Sequence, residues 1–141
     1  PALAHRRLVM AHLGGGSSLC AVHHGRSIDT TMGLTPLDGV PMATRSGSLD
    51  PGVIGYLTHA LRMPWPEIEQ VLWRESGLKG LSGLSGDMRE LQADPGEAAA
   101  LAREHYARRV AQAIAAMATS LGGVDAIVFS GGIGAGAAAV R

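Results

Sequence analysis

The chain has 141 residues, about the size of one domain, and 46% of them are hydrophobic, which is enough for a buried core. Its 12 basic and 12 acidic side chains balance, so it lacks the positive charge typical of nucleic-acid-binding proteins. No apolar run approaches the ~18 residues of a membrane span, and a single cysteine excludes an intramolecular disulfide. We therefore expect no nucleic-acid or membrane partner and a reducing, cytoplasmic location.

The first third of the chain has the pattern of three consecutive strands followed by an irregular segment. Leu8–Leu13 is apolar, a run of glycines follows it, and the next two strands are predicted over Ser18–Val22 and Ser27–Thr31. Such closely spaced strands predict a β-meander. Residues 33–48 show neither strand nor helix periodicity, so an irregular segment is expected there.

Two helices are predicted next. Asp50 can cap the first one and Pro51 suits its first position, because proline lacks an N–H that would have no partner there. This helix should run to about Arg62. The second follows two prolines and has one apolar face, formed by Ile68, Val71 and Leu72. The glycine-rich residues 77–86 predict a loop, and a short helical turn is expected over Asp87–Leu91.

The longest predicted helix spans about Glu97–Leu121. Apolar residues recur in it at three-to-four spacing, which indicates one buried face; they are Tyr106, Val110, Ile114, Met117 and Leu121. Ala126–Phe129 is short and continuously apolar, as in a strand of a sheet covered on both faces. The order of strands, helices and strand predicts an α/β fold.

Several residue patterns suggest phosphate chemistry. Gly14–Gly16 and Gly131–Gly136 each follow a predicted strand, and the backbone N–H groups of such segments can bind phosphate, although each could also be only a tight turn. Arg45 stands alone among small and polar residues, and its guanidinium fork matches a carboxylate or phosphate. Ser85–Arg89 could contact a ribose or base, or be only a helix cap. Cys20 is expected to be a buried small hydrophobe.

Six motifs, in order, resemble the acetate kinase family; they are His12–Gly14, Thr31–Gly39, Thr44–Gly47, Asp50–Pro51, Leu84–Arg89 and Ile127–Gly134. The resemblance covers nearly the whole chain. It implies a ribonuclease-H-like (actin-like ATPase) domain with a mixed sheet and flanking helices. Residues 1–141 would then be most of the nucleotide-binding C-terminal domain, without the N-terminal domain and the last part of the C-terminal one.

The resemblance also implies an activity and roles for individual residues. The family transfers the γ-phosphoryl of ATP to acetate, giving acetyl phosphate and ADP, with Mg²⁺. Arg45 matches the catalytic arginine that holds the acetate carboxylate or the transferring phosphoryl, and Met32 and Pro36 match residues beside the acyl methyl group. The implied nucleotide-binding residues are His12, Leu13, Gly14, Gly15 and Gly16, then Asp87, Met88 and Arg89, and finally Gly132, Ile133, Gly134, Ala135 and Gly136.

The chain departs from the family pattern at both glycine segments. The first usually reads HLGNG, and here Gly15 replaces the asparagine; the last usually reads GIGEN, and here Ala135 and Gly136 replace its last two residues. The carboxylates that position Mg²⁺ are implied to lie outside this chain. We therefore expect it to be inactive alone, and the resemblance implies a homodimer when full length. A propionate or butyrate kinase and a noncatalytic nucleotide-binding remnant stay open as alternatives, and a dehydrogenase piece is disfavoured.

Overall fold

The computed structural model of the protein describes residues 5–141. Its single sheet has four strands, β1 (Leu8–Leu13), β2 (Ser17–His23), β3 (Arg26–Thr30) and β4 (Ala126–Ser130), in the order β3-β2-β1-β4. The predicted meander is confirmed, since β1 pairs antiparallel with β2, and β2 with β3. β4 enters the sheet parallel to β1 from the far end of the chain. The sheet is therefore mixed, and its β1–β4 edge joins the two glycine-rich segments.

The helices lie between β3 and β4 and after β4. They are α1 (Gly52–His59), α2 (Trp65–Gln70), α3 (Gly77–Ser82), α4 (Met88–Ala93), α5 (Glu97–Ser120) and α6 (Gly131–Gly136). A π-helical turn, Val71–Glu75, continues α2, and a short 3-10 turn, Ala138–Val140, follows α6. Within residues 5–141, no helix combines the length and apolar character needed to cross a membrane.

The core forms where α5 packs on one face of the sheet. Alternate residues of β1 (Val9, Ala11 and Leu13) are fully buried, as the two-residue period of a strand requires. Tyr106 and Val110 of α5 are also buried, so the predicted apolar face of this helix is confirmed. This packing holds β1 and the turn after it in a fixed position.

The loop predicted over residues 77–86 was wrong, because α3 occupies its first half. Partners distant in sequence stabilise this helix: the Leu78 N–H donates to the Met42 carbonyl at 2.8 Å, and the Leu78 side chain is fully buried. Gly83, with φ +64°, ends α3 in the left-handed conformation that favours glycine. The high glycine content therefore led to a wrong loop prediction, because α3 is stabilised by contacts with residues distant in the sequence.

Two helix boundaries follow from local chemistry. At the start of α1, the Asp50 Oδ1 accepts the Gly52 N–H at 2.8 Å, as predicted for a capping aspartate, but the helix begins at Gly52, so Pro51 and not Asp50 takes the N-cap position. The helix ends at His59 instead of the predicted Arg62. Arg62 has φ +55°, a value that no right-handed helix can include. The second predicted helix is confirmed as α2 with its π-helical continuation.

Other corrections concern β4, α6 and the cysteine. β4 is not covered on both faces, since Ile127 and Val128 are 39% and 37% exposed at the edge of the sheet. The glycine segment after β4 folds as the short helix α6 and not as a loop. Cys20 is only half-buried, with its Sγ 3.1 Å from the Ser27 Oγ, because its side chain lies on the sheet face opposite α5.

Candidate active site

A cleft of about 780 Å³ lies where three distant parts of the chain meet. Gly14 and Gly15 line it from the β1–β2 turn, and Asp87–Arg89 line it from the start of α4. The third wall comes from α6, with Gly132 and Ile133. The structure thus brings together all three segments that were predicted to bind a nucleotide. Cavities of this size are typical of small-molecule and cofactor sites.

The β1–β2 turn is stabilised on its core side by the buried hydroxyl groups of Ser17 and Tyr106. The Gly14 N–H donates to the Gly16 carbonyl at 3.0 Å and to the Ser17 Oγ at 3.3 Å. The buried Ser17 Oγ is in turn 2.9 Å from the hydroxyl of Tyr106 on α5. No acceptor in residues 5–141 takes the N–H of Gly15 or Gly16. These two N–H groups are the ones that an anion can use.

The two other predicted residues of this turn have different positions. The Leu13 side chain is fully buried in the core, so only its backbone is near the cleft. The His12 ring lies between the two glycine segments: its Nε2 is 3.8 Å from where a Cβ on Gly14 would lie, and its Cε1 is 3.2 Å from the same position on Gly131. The His12 Nδ1 is 3.1 Å from the Ser130 Oγ, which orients the ring.

The wall formed by α4 has the geometry of a charged helix cap. The Asp87 Oδ1 accepts the Arg89 N–H at 2.8 Å, and the Arg89 Nη2 donates to the Asp87 Oδ2 at 2.6 Å. These side-chain and backbone bonds from Arg89 lower the pKa of Asp87 to about 2. Met88 is buried beneath them. Asp87 therefore caps α4 and stays ionised while it faces the cleft.

The wall formed by α6 presents mainly backbone. Gly132 and Gly136 are exposed on the cleft, and a Cβ added to either would meet no atom within 4 Å. Gly134 is buried instead, with the Phe129 Cβ 3.6 Å from the position that a Cβ on Gly134 would take. Ala135 is exposed and does not line the cleft. The predicted second segment therefore contributes only part of its residues to the surface of the site.

Arg45 lies beside the first glycine turn. Its Nη1 is 3.7 Å from where a Cβ on Gly16 would lie, and it donates to the Pro36 carbonyl at 3.3 Å. Arg45 is half-buried and, within residues 5–141, forms no ion pair with a carboxylate. Its Cζ lies 5.2 Å from the centroid of the Trp73 ring. A held guanidinium without a counter-charge is suited to receive an anion.

The two predicted acyl-pocket residues differ in their relation to Arg45. Pro36 is joined to it directly through its carbonyl. Met32 is 45% exposed, two residues beyond β3, and its N–H donates to the Thr30 Oγ1 at 3.3 Å. No hydrogen bond connects Met32 with Arg45 in the described chain. The structure thus brings together one of the two residues and the arginine.

Sequence reasoning gave no site role to several residues of the cleft wall; they are Ala43, Thr44, Gln92 and Ala137. Helical spacing could have found Gln92, which lies three residues after Arg89 in α4. Gly86, which belongs to the predicted segment Ser85–Arg89, also lines the cleft. A Cβ on it would lie 2.7 Å from the Ala43 carbonyl oxygen, so the contact with a distant segment requires a glycine.

An exposed ion pair joins Arg7, just before β1, to Asp125 in the turn between α5 and β4. The Arg7 Nη2 donates to the Asp125 Oδ1 at 2.7 Å, the Arg7 N–H donates to Oδ2 at 2.8 Å, and the Arg7 Nη1 donates to the Gly122 carbonyl at 2.9 Å. The side-chain and backbone bonds that Arg7 donates to the Asp125 carboxylate lower the pKa of Asp125 to about 2. They tie the start of β1 to the turn before β4.

Acid should therefore destabilise the fold between about pH 4 and pH 2. Asp87 and Asp125 both have a folded pKa of about 2, below the ordinary aspartate value of 3.8, so the unfolded chain binds protons first as the pH falls. Their stabilising contribution is complete above pH 4 and is lost toward pH 2. Thermal unfolding of the wild type and Asp125→Asn at each pH measures it. We expect a shallower pH dependence for the variant, and equal slopes would contradict the assigned ion pair.

Comparison with known proteins identifies the family. Residues 2–141 match the family model described as the Acetokinase family. The chain belongs to the acetokinase family. The acetate kinase of Methylocella silvestris is 51% identical over 141 residues, which are all of this chain and 35% of that relative. The chain thus spans about a third of the length of the relative it matches, and the predicted family is confirmed.

Two solved structures confirm the predicted α/β fold of this chain. A propionate kinase from Francisella tularensis superimposes with a TM-score of 0.91 at 44% identity, over 97% of this chain and 36% of that one. The acetate kinase from Entamoeba histolytica superimposes with a TM-score of 0.93 at 33% identity, over 100% of this chain and 38% of that one. The mixed sheet and its flanking helices agree with the actin-like ATPase fold.

Proposed function

We propose that this acetokinase chain forms the nucleotide-facing part of an acyl phosphotransferase that moves the γ-phosphoryl of ATP to acetate, giving acetyl phosphate and ADP. The observation that carries the proposal is the position of the Arg45 guanidinium beside Gly16, in the turn whose Gly15 and Gly16 N–H groups have no acceptor in residues 5–141 and whose Gly14 and Gly15 line the 780 Å³ cleft. The names of the relatives, acetate kinases at about half identity, support the same activity.

The residues suit a reaction that depends on positioning and charge. A carboxylate oxygen of acetate attacks the γ-phosphorus, the bond from phosphorus to the bridging oxygen breaks, and ADP leaves with that oxygen's negative charge. The N–H groups of Gly15 and Gly16 hold the terminal phosphates. Arg45 stabilises the charge on the equatorial oxygens and orients the acetate carboxylate. Asp87–Arg89 and Gly132–Gly136 hold the adenosine.

The described residues do not form a magnesium site by themselves. Asp87 is the carboxylate of the cleft wall, and it is paired with Arg89. Within residues 5–141, no cluster of three His, Cys, Asp or Glu side chains is arranged to hold a metal ion. We propose that the Mg²⁺ ligands lie outside these residues. ATP and ADP are substrates of the proposed reaction.

The proposal also covers the domain to which the chain corresponds and the full-length enzyme of which it is a part. Residues 1–141 correspond to most of the nucleotide-binding C-terminal domain of an enzyme that is a cytoplasmic homodimer when full length. Because in-line transfer needs groups on both sides of the reacting phosphoryl and this chain corresponds to one domain of the proposed enzyme, the 141-residue chain alone should not make acetyl phosphate. Propionate is a second candidate acyl acceptor, since a propionate kinase superimposes on 97% of the chain.

A chimera tests the proposal. In it, this chain replaces the matching 35% of the Methylocella silvestris acetate kinase, and acetyl phosphate formation is measured with acetate, propionate and butyrate. Turnover with acetate as the preferred acid is the expected result. Preference for a longer acid would move the assignment to that kinase, and a folded chimera that binds ADP without turnover would support a noncatalytic nucleotide-binding remnant.

Gly15→Asn, which restores the asparagine of the family pattern in the β1–β2 turn, should strengthen nucleotide binding. Gly15 is exposed on the cleft, and a Cβ there would meet no atom within 4 Å, so Gly15→Asn fits without strain. A hydrogen bond to a charged phosphate contributes about 1.5–3 kcal/mol, so ADP affinity should rise about tenfold or more. Calorimetric titration of the chain with ADP measures the change.

Gly134→Asn is the matched control for this substitution. Gly134 is buried against Leu13 and Phe129, so an asparagine there should destabilise the chain and not improve binding. An unchanged ADP affinity in a folded Gly15→Asn variant would remove the turn from the phosphate site.

A further inference from the structure

We propose that Trp73 is a positioning residue for Arg45, holding the guanidinium against its ring in the orientation that receives the anion. The inference rests on the proposed function for the identity of that anion. The Arg45 Cζ lies 5.2 Å from the centroid of the Trp73 ring. This distance is within the ~6 Å at which a cation is attracted by the face of an aromatic ring, and tryptophan attracts most strongly.

The backbone sets the register between the two side chains. The Thr44 Oγ1 donates to the Trp73 carbonyl at 2.9 Å, and the Ser46 N–H donates to the Leu72 carbonyl at 3.0 Å. The Ser76 N–H donates to the Thr44 carbonyl at 2.9 Å. Both neighbours of Arg45 are thus hydrogen-bonded to residues next to or at Trp73. The contact between ring and guanidinium is therefore built into the fold.

The local helix geometry around Trp73 is also unusual. Trp73 lies at the centre of the π-helical turn Val71–Glu75, a geometry that is rare and frequent at functional sites. The Ser76 Oγ donates to the Val71 carbonyl at 2.8 Å and so closes the widened turn. Leu72 is buried and anchors the turn in the protein. The turn presents the half-buried Trp73 ring to the segment that carries Arg45.

The contact with the Trp73 ring orients Arg45 because the hydrogen bonds of Arg45 do not by themselves fix the orientation of the guanidinium plane. Both of its protein acceptors, the Pro36 carbonyl at 3.3 Å and the weak acceptor Met42 Sδ at 3.7 Å, take the same nitrogen, Nη1. A guanidinium held at one nitrogen can still rotate. The Trp73 face limits this rotation and leaves Nε and Nη2 for a two-point bond with a carboxylate or phosphoryl group.

The first test measures the mobility of Arg45 in the ligand-free 141-residue chain. NMR relaxation gives the order parameter of the Arg45 Nε–Hε bond in the wild type, Trp73→Phe and Trp73→Leu. We expect an ordered bond in the wild type, a value below about 0.6 in Trp73→Leu and recovery in Trp73→Phe. Trp65→Leu is the matched control, because Trp65 is 58% exposed and makes no cation–π contact with Arg45. An order parameter that is unchanged in Trp73→Leu overturns the proposal.

Fluorinated tryptophan gives a second test that does not depend on the folding of Trp73→Leu. In a Trp65→Phe background, Trp73 is the one tryptophan, since the chain contains two. Successive ring fluorination weakens the electrostatic attraction without changing the packing. The order parameter of Arg45 should fall stepwise with fluorine number; a flat response overturns the proposal.

The chimera separates this inference from the proposed function. Trp73→Leu in the chimera should raise the KM for acetate about three- to tenfold, the range that a cation–π contact at a partly exposed site implies, and Trp73→Phe should restore it. An inactive chimera together with an Arg45 order parameter that depends on Trp73 means that the proposed function fails while the positioning role stands. An unchanged KM in Trp73→Leu of an active chimera counts against the positioning role.

Discussion

Arg45→Ala should lower the kcat of the chimera with acetate by about 10³-fold or more, because an arginine that stabilises the charge on a transferring phosphoryl group contributes on this scale. The guanidinium of Arg45 lies beside Gly16 and makes no ion pair in the described chain, and Thr44, its neighbour in sequence, lines the cleft. Its removal leaves no other cation at this position in residues 5–141. A coupled assay of ADP release measures the loss.

Arg45→Lys serves as the control for charge alone. Lysine keeps the positive charge but cannot form the two-point bond of a guanidinium, so it should recover only part of the lost turnover. The ADP affinity of both variants should stay close to that of the wild type, since the adenosine is proposed to lie against Asp87–Arg89 and Gly132–Gly136. Wild-type turnover in Arg45→Ala would show that the arginine has no part in the transfer.

Gly77→Ala should have the largest effect on stability, a loss of about 3 kcal/mol or more in the free energy of unfolding. Gly77 has φ +59°, where a side chain costs about 1–2 kcal/mol. A Cβ there would also lie 2.1 Å from the carbonyl oxygen of Met42 and 2.7 Å from that of Arg45. The backbone would have to move, which adds further cost. Urea unfolding followed by circular dichroism measures the change.

Gly83→Ala separates the two contributions at Gly77. Gly83 has a similar φ, +64°, at the other end of α3, but a Cβ there would meet no atom within 4 Å. It should therefore show only the conformational cost of about 1–2 kcal/mol. An equal loss in both variants would mean that the close approach of Gly77 to the Arg45 segment does not matter for stability.

Elements with a strong local pattern were predictable from the sequence. The apolar β1 and the three-to-four spacing in α5 are confirmed, because a side chain's burial in a strand or helix repeats with a fixed period along the chain. The bond from Asp50 to the first N–H of α1 was also predictable to within one position, because it involves only neighbouring residues. The order of the motifs was also sufficient to predict the family.

The tertiary structure alone decided how the irregular segment folds. Residues 42–46 take hydrogen-bond partners some 30 residues further on: the Leu78 N–H donates to the Met42 carbonyl, and the Thr44 Oγ1 donates to the Trp73 carbonyl. No periodicity announces such bonds, because each depends on two segments whose separation in the sequence says nothing about their distance in space. For the same reason the sequence predicted a loop where α3 lies.

For the site as well, the residue types follow from the sequence, whereas their relative positions follow from the tertiary structure. The sequence by itself determined which residue types are present, such as glycines after strands and an arginine without a charged neighbour. Only the packing of α5 on the sheet and the parallel pairing of β4 with β1 placed Gly14 and Gly132 in one cleft. The Trp73 ring over Arg45 arose likewise from contacts between distant segments. Local chemistry therefore selects the functional groups, and long-range packing sets the distances at which they act.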